Sequence, residues 1–163
     1  MNTEHLNGLP ALLCLAALGH FPAPALAALG QELLAPSSGS LSVPWCETTA
    51  PGQRAEAGLC RVHESSLETG TVIKEYVRPD GLVFAVSWRG PVAPDLALLL
   101  GAYFSVFQIA RHETLAGEQR GSPLSLAKDG LVVQAGGRSP HLFGYAYVTH
   151  LVPTGVRIKE VVQ

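Results

Sequence analysis

The chain has 163 residues, 47% of them hydrophobic and only 15% charged, with a formal net charge of −2. Length points to one domain, and the apolar content excludes a disordered chain. The slightly acidic balance leaves no electrostatic footprint for nucleic acid or an anionic membrane.

Residues 1–27 read as a signal peptide. Leu9 to Leu18 is an apolar run broken only by Pro10, and Gly19 to Pro24 interrupts any helix. Ala25-Leu26-Ala27 then presents the small-x-small pattern of a signal-peptidase site. The leading Met1 to His5 lacks the usual Lys or Arg. A buried N-terminal helix is the alternative; a lipoprotein site at Cys14 is disfavoured by the bulky Leu13 before it. The run is shorter than the roughly 20 apolar residues of a membrane-spanning helix, so no transmembrane segment is expected in the mature chain. The protein is expected to be periplasmic or secreted.

Export changes how the cysteines read. Cys14 leaves with the signal, and Cys46 and Cys60 remain as a pair, for which a disulfide is the default in an oxidising compartment. A metal site on Cys46, Cys60 and His63 is the competing reading. It has no CxxC or HxxxH spacing, and a closed site needs a fourth ligand. Residues 28–59, rich in Pro and Gly, read as an extended leader tied by that disulfide to an α+β domain at 60–163.

Arg61 to Glu64 is a short strand, and Thr71 to Arg78 is a stronger one, rich in β-branched residues. Pro79-Asp80-Gly81 follows: Pro presets φ, Asp suits the next turn position, and Gly supplies positive φ. Leu82 to Trp88 completes a hairpin. Period-two alternation places Leu82, Phe84, Val86 and Trp88 on one face; Val83 and Ala85 opposite are also apolar, which predicts a central strand covered on both sides. Lys74 and Glu75 predict that the first hairpin strand is partly solvated.

Asp95 stands at an N-cap position, ahead of a helix to about Ala110. Leu96, Leu99, Leu100, Tyr103 and Phe107 form its apolar stripe. Ala97, Gly101 and Ser105 make a second stripe of small residues, suited to close packing on the sheet or to a contact between copies. Leu115 to Lys128 reads as a surface loop with a turn at Asp129-Gly130. Leu131 to Ala135 is a strand, and Gly136 to Pro140 turns. Leu142 to His150 is a strand with Phe143, Tyr145, Tyr147 and Thr149 on one face. A last strand is expected with Val156, Ile158 and Val162 on one side, Arg157 and Lys159 on the other. No Asn follows residue 27, so the mature chain has no N-glycosylation site.

Catalytic motifs are missing. His63-Glu64 and His112-Glu113 open like a zinc-protease HExxH, but Leu67 and Ala116 stand where the second His belongs. Gly137-Arg138-Ser139 continues into Pro140, not a GxSxG elbow. There is no phosphate-binding GxxxxGK[ST] and no CxxCH, so no cofactor or metal is implied. His63, His112, His141 and His150 could join Ser139 or Asp95 in a site built only by the fold, although Asp95 reads first as a helix cap. Tyr76, Phe84, Trp88, Tyr103, Phe104, Tyr145 and Tyr147 could line a ligand pocket; a small core needs such residues too.

Gly70-Thr-Val-Ile-Lys-Glu-Tyr-Val-Arg-Pro-Asp-Gly-Leu-Val-Phe-Ala-Val-Ser-Trp-Arg-Gly-Pro91, continuing from Pro94 through Phe104, resembles the family of small exported bacterial proteins described as domain of unknown function 2844. Gly130-Leu-Val-Val-Gln-Ala-Gly-Gly137 is similar to its second characteristic stretch. The resemblance covers residues 60 to 163. It implies export and a Gram-negative envelope setting, and it brings no activity, cofactor or catalytic residue.

The expected fold is a single α+β domain, with an antiparallel sheet of about five strands packed on one main helix at about 95–110. Two functions compete. The first is a non-enzymatic envelope module that binds an unknown envelope protein or itself, which requires an exposed apolar patch. The second is a binder of a small apolar ligand or lipid, which requires an aromatic-lined pocket of about 300 Å³ or more. A hydrolase is the remote third, and requires a His within reach of both a Ser and a carboxylate.

Overall fold

The computed structural model describes residues 28–33, 41–43, 60–115, 123–158 and 162. One antiparallel sheet organises them: β1 (Leu41–Val43), β2 (Arg61–Ser66), β3 (Val72–Val77), β4 (Val83–Gly90), β5 (Leu124–Lys128), β6 (Leu131–Arg138) and β7 (His141–Val148). Their order across the sheet is β1-β2-β3-β4-β7-β6-β5. Six strands are long and β1, at one edge, has three residues, so the sheet is slightly larger than the five strands expected. Two meanders meet where β4 pairs with β7, and the helical segment crosses between them. That segment is α1 (Leu96–Leu100), a 3₁₀ turn (Gly101–Tyr103) and α2 (Phe104–Leu115), extending past Ala110. It is an α+β domain, as expected.

Local chemistry explains the best-defined joints. Gly81 has φ +92° and its N–H donates to Arg78 O at 2.9 Å, while Arg78 N–H donates to Leu82 O at 2.8 Å. Pro79-Asp80-Gly81 is therefore a three-residue hairpin loop with Gly at its left-handed position. Asp80 adds an ion pair to Arg78 at 2.7 Å. Asp95 Oδ1 accepts the Ala97 N–H at 2.8 Å and caps α1.

The sheet has two faces. Ile73, Val77, Val83, Val86, Trp88, Leu131, Val133, Ala146 and Val148 form the core with Leu99, Leu100, Phe107 and Ala110 of the helical segment; this is the helix face. Leu29 completes it, fully buried, with its N–H donating to Leu99 O at 2.8 Å. Gly30 and Gln31 then exchange backbone bonds with Val83. Residues 28–33 thus pack between α1 and the β3–β4 hairpin. On the opposite face, Tyr76, Phe84, Ala85, Tyr145 and Cys60 form a smaller cluster, packed by Val156, Ile158 and Val162 of the C-terminal tail.

Four expectations are corrected. Register shifts between Tyr76, opposite Ala85, and Val77, opposite Val83. The bulge makes Phe84 the extra residue and sends it to the tail face, away from Val86 and Trp88. Residues 124–128, expected within a loop, form edge strand β5, with Leu126 buried against the helix. The tail forms no strand among its described residues: Thr149–Leu151 is a 3₁₀ turn, and Val162 N–H donates to Ile158 O at 3.1 Å. Its apolar alternation marks one buried side, not a ladder; Lys159 lies outside the described residues. Glu75, expected to be solvated, is fully buried.

Candidate ligand-binding site

The registers stack the tail face into cross-strand rows. Val62, Tyr76, Ala85, Tyr147 and Val132 form one row, apolar and partly covered by the tail. The next, two residues along each strand, is Glu64, Lys74, Ser87, Tyr145, Gln134 and Ser125. It is polar from end to end. Lys74 pairs with Glu64 at 3.5 Å, Tyr145 Oη donates to Gln134 Oε1 at 2.7 Å, and Tyr76 Oη lies 3.2 Å from Ser87 Oγ. The third row holds Val72, Arg89, Phe143 and Gly136.

A pocket of about 650 Å³ lies over the last two rows. Its lining includes Lys74, Tyr76, Ser87, Arg89, Phe143 and Tyr145, with Val162 at the tail end. Phe143 is 49% exposed, and its ring rests over Gly136, which has no side chain to displace it. Burial pushes the phenols of Tyr76 and Tyr145 above their ordinary pKa, so both stay neutral donors well past neutral pH.

A second polar cluster lies on the helix face. His63 Nδ1–H donates to Glu75 Oε2 at 2.8 Å, with the two side chains 12% and 0% exposed. His63 Nε2 and the Ser65 hydroxyl are sealed from solvent and make no hydrogen bond among the described residues. This is the His–carboxylate contact that a hydrolase requires, but neither the free imidazole nitrogen nor the serine is open to a substrate.

The residues singled out from sequence scatter. Tyr76, Trp88 and Tyr145 line the pocket; Phe84 and Tyr147 lie in the tail-side cluster; Tyr103 and Phe104 pack on the helix-side core, to which Trp88 also belongs. Ser139 sits in the β6–β7 turn and donates to Pro91 O at 3.0 Å, while Asp95 caps α1. His112, His141 and His150 are exposed, and no hydrogen bond joins them to Ser139 or Asp95 among the described residues. Gly101 has φ +51° at the break between α1 and the 3₁₀ turn, and a side chain there would stand 2.6 Å from Ala28 Cβ. Ala97 and Ser105 are exposed. Cys60 is buried, whereas Cys46 and residues 1–27 lie outside the described residues. Arg89, Phe143, Lys74, Glu64 and Gln134 were missed as site residues, because only the register brings them together.

Fold and site define a small α+β protein with an open pocket on one sheet face. The chain belongs to the family described as Protein of unknown function (DUF2844), which matches residues 25–161. The match extends the resemblance seen in the sequence toward the N-terminus. No curated protein and no solved structure matches the chain. Among the described residues no helix is long and apolar enough to cross a membrane.

Proposed function

We propose that this chain is a non-enzymatic, exported binding protein of the Gram-negative envelope, periplasmic or secreted, that takes a small ligand in the tail-face pocket. The observation that carries this reading is the pocket itself. Its volume of about 650 Å³ falls within the roughly 300–1,000 Å³ typical of small-molecule sites, and aromatic walls with a few convergent polar groups are the usual lining. A fluorescence titration with N-phenyl-1-naphthylamine, a neutral aromatic probe, tests it. The expected result is saturable one-to-one binding that is lost in Ser87→Phe, which fills the floor. Equal binding by a folded Ser87→Phe protein overturns the reading.

Export rests on the small-x-small pattern at Ala25 to Ala27 and on the family resemblance; the Cys46–Cys60 disulfide rests on the buried Cys60 and an oxidising compartment. The intact mass of protein recovered from the envelope, alkylated with and without reduction, tests both. A start at Ala28 with two alkyl groups only after reduction supports them. A retained Met1 and three immediately reactive thiols overturns them.

A second reading is association with an envelope protein or another copy of the chain. Leu98 and Ile109, 62% and 53% exposed on the helical segment, favour it. Sedimentation of Leu98→Lys with Ile109→Lys tests it: an unchanged molecular weight and unchanged partner capture exclude this face.

A further inference from the structure

We propose that the pocket's ligand is an organic acid with a flat apolar body, its single acid group held by Arg89 and its ring by Phe143; this rests on the pocket being a binding site. Among the described residues, three Asp, Glu, Lys or Arg side chains line the pocket: Glu64, Lys74 and Arg89. Glu64 and Lys74 face each other at 3.5 Å and largely cancel. Arg89 is exposed and makes no ion pair among the described residues. Among the described residues one cation without an ion pair therefore remains at the site, on a chain whose net charge is −2.

The character of that cation narrows the ligand. A guanidinium offers paired donors that match a carboxylate or sulfonate edge, and such charge-assisted bonds are the stronger class. Lys74 stands opposite Ser87, two residues from Arg89 on β4, so it is a diagonal neighbour, about 7–8 Å away in such pairs. An acid group on Arg89 also feels that second positive charge. A polyanion would not be favoured, because Glu64 closes the far side of the same row.

The apolar side narrows it further. Phe143 is the direct cross-strand partner of Arg89 and leaves half its ring in solvent, beside the phenol of Tyr145. A flat ring against Phe143 places its own acid substituent at the neighbouring Arg89. A long alkyl chain fits less well, since beyond Phe143 it would lie across the polar row of Lys74, Ser87 and Gln134, whose groups would lose water without gaining partners.

The test compares two probes with one aromatic skeleton: 1-anilinonaphthalene-8-sulfonate, which carries an acid group, and the neutral N-phenyl-1-naphthylamine. Both are titrated into the full protein, into Arg89→Gln and into Phe143→Ala. The sulfonate is expected to bind about tenfold more tightly than the neutral probe, as one charge-assisted contact implies. Arg89→Gln should erase that advantage and leave the neutral probe unchanged, whereas Phe143→Ala should weaken both. Equal affinities in the parent protein, or a sulfonate preference that survives Arg89→Gln, overturn the acid-ligand inference while leaving the pocket reading intact. If neither probe binds, the pocket reading falls and this inference falls with it.

Discussion

The two faces of the sheet solve opposite problems with the same strands. On the helix face, Val86, Trp88, Val133 and Ala146 pack beneath Leu99, Leu100 and Phe107, and the buried His63 and Glu75 are joined there by one hydrogen bond. On the other face the described residues of the C-terminal tail pack on the cluster of Tyr76, Phe84, Ala85 and Tyr145, and a pocket opens over the polar row beside it. A residue's place on this sheet therefore predicts what its removal costs: stability on one side, binding on the other.

The largest expected effect tests the sealed side. His63→Leu removes a hydrogen-bonding partner of a carboxylate that is fully buried. Breaking a buried pair from one end costs about 3–5 kcal/mol, whereas replacing both ends by apolar groups can be nearly neutral. Urea unfolding should show a loss of that order in His63→Leu and a large recovery in His63→Leu with Glu75→Leu. A single variant as stable as the parent would break the comparison.

Adjacent residues on β7 give a sharper contrast. Gly144 faces the helix side and Phe143 the pocket. A methyl group on Gly144 would collide with the Trp88 indole, and overpacking of this kind costs about 1–3 kcal/mol. Phe143→Ala removes a half-exposed ring, so its unfolding midpoint should move far less while its affinity for an aromatic probe falls. Equal destabilisation by the two substitutions would mean that the faces do not divide these roles.

That division explains which parts of the molecule were legible in its sequence. The hairpin at Pro79-Asp80-Gly81, the Asp95 cap and the apolar stripe through Leu99, Leu100 and Phe107 follow from interactions within a few residues, and local pattern reveals them. The displacement of Phe84 depends on how β4 pairs with β3, which its own alternation does not encode. Leu124 to Lys128 shows only two apolar residues on one face, a weak signal for an edge strand. The pocket was the least legible. Glu64, Lys74, Ser87, Arg89 and Phe143 come from four strands, β2, β3, β4 and β7, and no spacing along the chain joins them. Glu75 was misread for the same reason, since its partner His63 stands across β2–β3.

The smallest effect concerns the open face and has a definite sign. Burial raises the pKa of Tyr76, opposed by its hydrogen bond to Ser87, and burial likewise raises that of Tyr145, reinforced by the nearby Tyr147. A raised pKa means that the fold favours the neutral phenol. The resulting stability is fully present below the ordinary tyrosine value of about 10 and is lost as pH rises through the higher native values. Absorbance at 295 nm should therefore show part of the native tyrosine signal, which comes from four tyrosines, ionising later than in the denatured chain. Tyr76→Phe should remove a share of that late signal and flatten the fall of the urea midpoint above pH 10. Superposable native and denatured titrations would show that the tail shields neither phenol, and that the second face is open along its whole length.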